Sequence, residues 1–285
     1  MQSHSKNQNT DQLHDELARQ MYIDLLKKVL TRFIGEEGFE EVIYNKNSWQ
    51  EIVSWPLRRA LAIKSYVLCK RLEFDTRKRT YGLDWPSGAE TMVGLRRLEN
   101  IEHCVKDVIS DEVPGDLVEA GVWRGGCCIF MRGILRAYED TERTVWVADS
   151  FQGLPKSTHQ EDLDWRFYQY HQLAVSLEQV KDNFRKYDLL DDQVKFLKGW
   201  FKDSLPGAPI ARIAVLRLDG DLYESTWDSI SNLYPKVSVG GYVIVDDYGG
   251  IDSCRKAIED YRNQHGIVDP IQKIDQTGVF WQRTH

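Results

Sequence analysis

Residues 213–247 read IAVLRLDGDLYESTWDSISNLYPKVSVGGYVIVDD. Two apolar runs, IAVLRLD (213–219) and GYVIVDD (241–247), flank the helix-like STWDSISNLY. A strand, a crossover helix and a second strand make a parallel βαβ unit. Both runs end on acids, the first on Asp219 and the second on Asp246 and Asp247. Carboxylates gathered at one sheet edge repel each other. They must lie apart or share something positive.

The same alternation continues outward. DLVEAG (116–121) reads as a short buried strand, followed by VWRGG and the apolar helix CCIFMRGILRAY. TVWVADS (144–150) and VKFLKG (194–199) are further strands, with a helix near 176–187 between them. A helix over 252–264 and a last strand in GVFWQR complete the pattern. Strands alternating with helices predict a doubly wound, mostly parallel, Rossmann-like α/β sheet.

The N-terminal part differs in texture. Residues 1–15 are polar and expected to fray. Met21, Leu25, Leu26, Val29, Leu30 and Phe33 recur at helical spacing, with Gly35 and Gly38 at the end. Residues 39–72 read as helical in part, with Pro56 in a first turn, 76–88 as loop, and 89–109 as a helix. The expected division is a helical region over 1–110, covering the site or packing on a second subunit, and a sheet domain over 111–285.

The 285 residues carry a formal charge of −7, which argues against the electrostatic grip of a nucleic-acid binder. The basic group Lys70, Arg71, Arg77, Lys78 and Arg79 reads as a solvated helix face. The start, MQSHSKNQNTDQLHDE, lacks the apolar core of a signal peptide, and no run approaches the roughly 20 apolar residues of a membrane span. Five cysteines without CxxC or Cys/His spacing predict reduced thiols in a cytoplasmic protein.

In such sheets ligands bind beyond the carboxyl ends of the strands. At the first end stands Glu119-Ala-Gly121-Val-Trp-Arg-Gly125-Gly126. Glycines between strand and helix admit a ligand to backbone amides, but the spacing is not GxGxxG, which weakens a dinucleotide reading. It fits the looser loop that holds the methionine part of S-adenosylmethionine, or a plain tight turn. Asp149 ends the next strand and suits the two hydroxyls of a ribose, or an N-cap. Asp219, Asp246 and Asp247 suit a hard divalent cation such as Mg²⁺; the alternative is that Asp219 and Asp221 cap the next helix while the other two face solvent. Asp221 is read as such a cap. The polar, aromatic stretch 152–172 has the composition of a lid, or of a variable surface insertion, and its His159 and His171 read as solvated.

GDLVEAGVWRGG, VWVADSFQGLP, LKGWFKDSLP, DGDLYESTW, VIVDDYGG and GVFWQR together resemble the macrocin O-methyltransferase family. The resemblance runs from about Tyr81 to the C-terminus, and MYIDLLKKVLTRFIGEEG is similar to the family's N-terminal helix. It implies a Rossmann-like methyltransferase sheet with extra N-terminal helices, an oligomer, and methylation of a sugar hydroxyl on a natural-product glycoside. S-adenosylmethionine and Mg²⁺ are the implied cosubstrate and cofactor. By motif, Asp219, Asp246 and Asp247 would hold the metal, with Asp219 the catalytic base. Glu119, Gly121, Asp149 and Ser150 would contact the cosubstrate, Gly199 and Trp200 would lie near its adenine, and Thr91 and Met92 would help hold its methionine end. Catechol-type methyltransferases place a lysine base three residues after the first metal aspartate; here that position is Leu222. The base is therefore expected to be a metal-bound carboxylate, by family analogy Asp219, and the same chemistry on an aromatic diol stays the alternative.

Overall fold

The computed structural model describes every residue except 1, 35–38, 43–48, 72 and 87. Gly35 and Gly38, expected to end the first helix, lie outside the described residues. In chain order the elements are α1 (Gln2–Leu30), β1 (Phe39–Glu41), α2 (Trp49–Ala62), β2 (Cys69–Arg71), α3 (Thr76–Tyr81) and α4 (Leu95–Ser110). Then follow β3 (Asp116–Ala120), α5 (Gly126–Ala137), β4 (Val145–Asp149), α6 (Leu177–Lys186), β5 (Val194–Lys198) and α7 (Phe201–Ser204). The last are β6 (Ile213–Leu218), α8 (Tyr223–Leu233), β7 (Val237–Val245), α9 (Asp252–Gln264), β8 (Gln272–Lys273) and β9 (Val279–Gln282).

The seven-stranded sheet has the order β5-β4-β3-β6-β7-β9-β8. Pairing is parallel from β5 through β7, and β9 lies antiparallel to β7. The chain runs outward from β3 to β5, then returns to place β6 against the other side of β3. Strand order therefore reverses between β3 and β6, and a crevice opens at their carboxyl ends. Side chains alternate across the sheet. Leu117, Val145, Val147, Val215 and Ile244 pack on the face covered by α1, α4, α5 and α6. Val118, Ala120, Ala148, Leu216, Leu218, Val243 and Val245 pack on the face covered by α8 and α9.

Several boundaries differ from the sequence reading. The first helix starts at Gln2, although the opening residues are polar. Pro56 lies inside α2, which begins seven residues before it. Part of the expected loop 76–88 is α3, because the Asp75 side chain accepts the amides of Arg77 and Lys78 while Gly82, at φ 65°, closes the other end. The helix expected from residue 89 starts at Leu95. The preceding turn is committed elsewhere: Gly126 N–H donates to the Glu90 carbonyl at 3.0 Å, and Val93 N–H donates to Thr91 Oγ1 at 3.2 Å. The expected division at 110/111 is not a break in the core. Ile23, Leu26 and Leu30 of α1 and Leu98 and Ile101 of α4 are buried in the same cluster as the sheet and α5. Among the described residues, no helix is long and apolar enough to cross a membrane.

Candidate active site

β3 is followed by Gly121 at φ 91°, where a Cβ would lie 1.8 Å from the Asp219 carbonyl oxygen. Only glycine lets the ends of β3 and β6 approach this closely. The turn then reaches the N-terminus of α5 at Gly125. Asp149, at the end of β4, faces this turn. Its Oδ2 accepts the Val122 N–H at 2.8 Å, and its Oδ1 accepts the Phe151 N–H at 2.7 Å. Burial raises its pKa and these amides hold it back, with a net upward shift. Gly199 donates its N–H to the Asp149 carbonyl at 3.0 Å, tying the end of β5 to the same place. The Ser150 hydroxyl donates to the Gly153 carbonyl at 2.8 Å and shapes the start of the lid.

The acids sort into two groups. Carboxylate oxygens of Asp219, Asp221 and Asp247 lie within 4.8 Å of one another, the arrangement of a metal-ligand cluster. Burial and the neighbouring negative charges push the pKa of Asp221 and of Asp247 well up. Asp246 does not join them. Its two oxygens accept from Arg97 Nη1 and Arg217 Nη2. Of the expected trio, Asp219 and Asp247 come together, with Asp221 as their third neighbour, while Asp246 pairs with Arg97 and Arg217. Asp246, just past β7, is taken up by the two arginines, whereas Asp247 brings an oxygen to Asp219 and Asp221; both line the larger cavity. Asp221 is not the helix cap it was expected to be.

Arg217 is 1% exposed near the carboxyl end of β6. Its Nη1 donates to Glu119 Oε1 at 2.5 Å and to Asp219 Oδ2 at 2.8 Å. Burial disfavours the guanidinium charge, but Asp246, Asp219 and Glu119 more than offset it. Glu119 also accepts from Cys128 Sγ at 2.8 Å. Both its oxygens are engaged, and Glu119 lines the larger of two cavities at the cluster rather than the one that gathers Gly121 and Asp149. Burial, opposed by Arg217, leaves its pKa at about 7.

Two cavities meet at the cluster. One of about 280 Å³ is lined by Gly121, Asp149, Ser150, Gly199 and Trp200, which joins most of the predicted donor residues. The other, of about 490 Å³, lies on the α4 side and is lined by Thr91, Arg97, Phe167 and Tyr170 among others. Met92, Trp123, Leu173, Asp219 and Asp221 line both. Asp219 and Asp221 are therefore the carboxylates a ligand in either cavity would meet. The lid contributes to each cavity, with Leu154, Pro155 and Lys156 on the first and Phe167 and Tyr170 on the second. His159 and His171 line neither.

The family model for macrocin O-methyltransferase (TylF) matches residues 19–283. The chain belongs to the macrocin O-methyltransferase family. It is an O-methyltransferase on an α/β sheet. The 8-demethyl-8-(2,3-dimethoxy-alpha-L-rhamnosyl)-tetracenomycin-C 4'-O-methyltransferase of Streptomyces olivaceus is 53% identical over 274 residues, covering 94% of this chain and 95% of that protein. The demethyldecarbamoylnovobiocin O-methyltransferase of Streptomyces niveus is 59% identical over 225 residues, covering 75% and 86%. The structure of the O-methyltransferase NovP matches with a TM-score of 0.80 and 50% identity, covering 94% of this chain and 100% of that one.

The sequence reading of this methyltransferase overlooked Arg97 and Arg217. A signal for Arg217 was present: a lone arginine inside the apolar run IAVLRLD must find acids if the strand is buried. Arg97 gave no such signal, since it sits on a helix with other charged residues and meets Asp246 149 positions away.

Proposed function

We propose that the enzyme transfers a methyl group from S-adenosylmethionine to a hydroxyl of a deoxysugar on a natural-product glycoside, with Mg²⁺ as cofactor. The observation that carries this reading is the meeting of two cavities at Asp219 and Asp221. The names of the relatives, which give a rhamnosyl tetracenomycin and a demethyldecarbamoylnovobiocin as acceptors, support the acceptor class.

The donor belongs in the cavity of Gly121 and Asp149. Gly121 leaves its backbone open to the methionine end. Asp149 keeps acceptor capacity for ribose hydroxyls beyond its two amide bonds, and Gly199 and Trp200 stand where the adenine would lie. The acceptor belongs in the larger cavity. Positioning the reacting atoms roughly 3 Å apart supplies much of the rate.

Asp219, Asp221 and Asp247 suit a hard divalent ion on the chemistry of three carboxylate oxygens. Asp247 Oδ2 is moreover buried with no hydrogen-bond partner, an orphan that a cation would satisfy. When bound, the ion supplies Lewis acidity that lowers the pKa of an acceptor hydroxyl. Asp219, steadied by Arg217, accepts the proton from that hydroxyl. The oxygen attacks the sulfonium methyl, and the donor leaves as the neutral thioether. Asp219→Asn should reduce kcat at least about a thousandfold while S-adenosylhomocysteine binding persists. Unchanged turnover in that variant, or in excess EDTA, would overturn the mechanism.

An aromatic diol is the second acceptor reading, favoured by Tyr81, Trp85, Phe167 and Tyr170 along the larger cavity. Parallel assays on a deoxysugar glycoside and on a catechol separate the two. The partner is a small molecule rather than nucleic acid or a membrane, in keeping with a net charge of −7. Pairing of two copies is supported by α1. Leu13, Leu17, Met21 and Leu25 recur every fourth residue on it, and each is more than half exposed.

A further inference from the structure

Helix α8 starts immediately after the acidic loop, and its N-cap position is Leu222, which has no side chain able to cap. The first amides of a helix need acceptors. Here they come from a residue about sixty positions earlier. Asp162, in the lid, accepts the Tyr223 N–H on Oδ1 at 2.7 Å and the Glu224 N–H on Oδ2 at 3.2 Å. The Ser157 hydroxyl lies 2.8 Å from the same Oδ2. Asp162 is only 2% exposed, although it belongs to a surface loop. Beside it, the His159 ring stacks on Tyr223 at 4.1 Å with an interplanar angle of 4°. The lid thus grips the first turn of α8 by a borrowed cap and a ring stack.

The gripped turn sits next to the acids. Asp221, two residues before Tyr223, holds a left-handed backbone at φ 56°. A non-glycine residue keeps that conformation only when its surroundings impose it. At its other end the same lid lines the smaller cavity with Leu154, Pro155, Lys156 and Thr158. One segment therefore touches the donor cavity and the start of the helix that follows Asp219 and Asp221.

We propose that Asp162 is a positioning residue that couples donor binding to the geometry of the acidic cluster. A donor in the smaller cavity holds the lid in place, the lid holds Asp162 on the amides of Tyr223 and Glu224, and these hold Asp221. Coupling of this kind is reciprocal, so the donor and the cation tighten each other's binding. The proposal rests on the donor and metal sites assigned above.

The test is calorimetric titration of Mg²⁺ with and without S-adenosylhomocysteine. It is run on the wild-type chain, on Asp162→Ala, which removes both acceptors, and on Asp162→Asn, which keeps one carbonyl oxygen. S-adenosylhomocysteine should tighten Mg²⁺ about five- to tenfold in the wild type, close to onefold in D162A, and by an intermediate factor in D162N. A merely structural role would weaken both titrations equally and leave the ratio unchanged. Hydrogen exchange gives a second readout without metal. Amides 221–226 should gain protection from S-adenosylhomocysteine in the wild type and lose that gain in D162A. A ratio or protection gain in D162A equal to wild type, or none in the wild type, overturns the proposal. If D162A does not fold, D162N carries the comparison, and a wild-type ratio there overturns it. A wild type that takes up no Mg²⁺ at all defeats the metal assignment instead, and the exchange readout then decides the role of Asp162.

Discussion

Arg217 carries ion pairs to Glu119, Asp219 and Asp246 from near the carboxyl end of a buried strand. A buried guanidinium costs several kcal/mol unless paired, and removing one partner strands the rest. Asp246 is further held by Arg97, so Asp246→Asn should destabilise the fold by about 3 kcal/mol in urea melts. Asp221→Asn touches no arginine. It should leave stability nearly unchanged and weaken Mg²⁺ at least about tenfold by calorimetry. A larger loss of Mg²⁺ affinity in D246N than in D221N would show that Asp246 leaves its arginines to become a ligand. Glu119 gives a pH signature, because its pKa of about 7 lies above the ordinary carboxylate value. Across that interval the folded chain holds a proton that the unfolded chain has released. Stability therefore falls as pH rises through the window, by up to about 1.4 kcal/mol per unit. Urea melts between pH 5 and pH 8 should show this slope, and Glu119→Gln should flatten it.

Among the elements, the β3–α5 turn is the least tolerant of change. A Cβ on Gly121 would collide with the Asp219 backbone, and φ 91° is strained for any side chain. Gly121→Ala should cost roughly 2–4 kcal/mol and abolish S-adenosylhomocysteine binding, measured by melting and by calorimetry. The strands that frame this turn were legible because each is an apolar run with an acid or glycine at its carboxyl end. Helix starts were less so. α3 depends on Asp75, and α4 begins late because residues 90–93 bond to α5 and to Thr91. The start of α8 was misread for a similar reason. Asp221 looked like its cap, but the acceptor comes from Asp162, far off in the chain.

At the scale of the whole molecule, α1 has two sides. Ile23, Leu26 and Leu30 are buried in the same cluster as the sheet, whereas Leu13, Leu17, Met21 and Leu25 face outward. An apolar stripe of this length favours burial against a second copy. Light scattering should report a dimer or larger assembly, and Leu17→Glu with Met21→Glu should shift it to monomer without lowering donor affinity. A monomeric wild type would leave the stripe without that role.

Sequence alone determined the alternating α/β sheet, the family, and the gathering of Gly121, Asp149, Gly199, Trp200 and Asp219 around one crevice. These follow from local patterns: a period of two, apolar runs, and the residue that ends each strand. Which acids converge was decided only in three dimensions. Asp246 and Asp247 are neighbours in the chain and line the same cavity, yet they find different partners. One meets Arg217 and Arg97, and the other meets Asp219 and Asp221. Partners so distant in the chain leave no periodic trace, since a buried charge selects its counterion by location rather than by spacing.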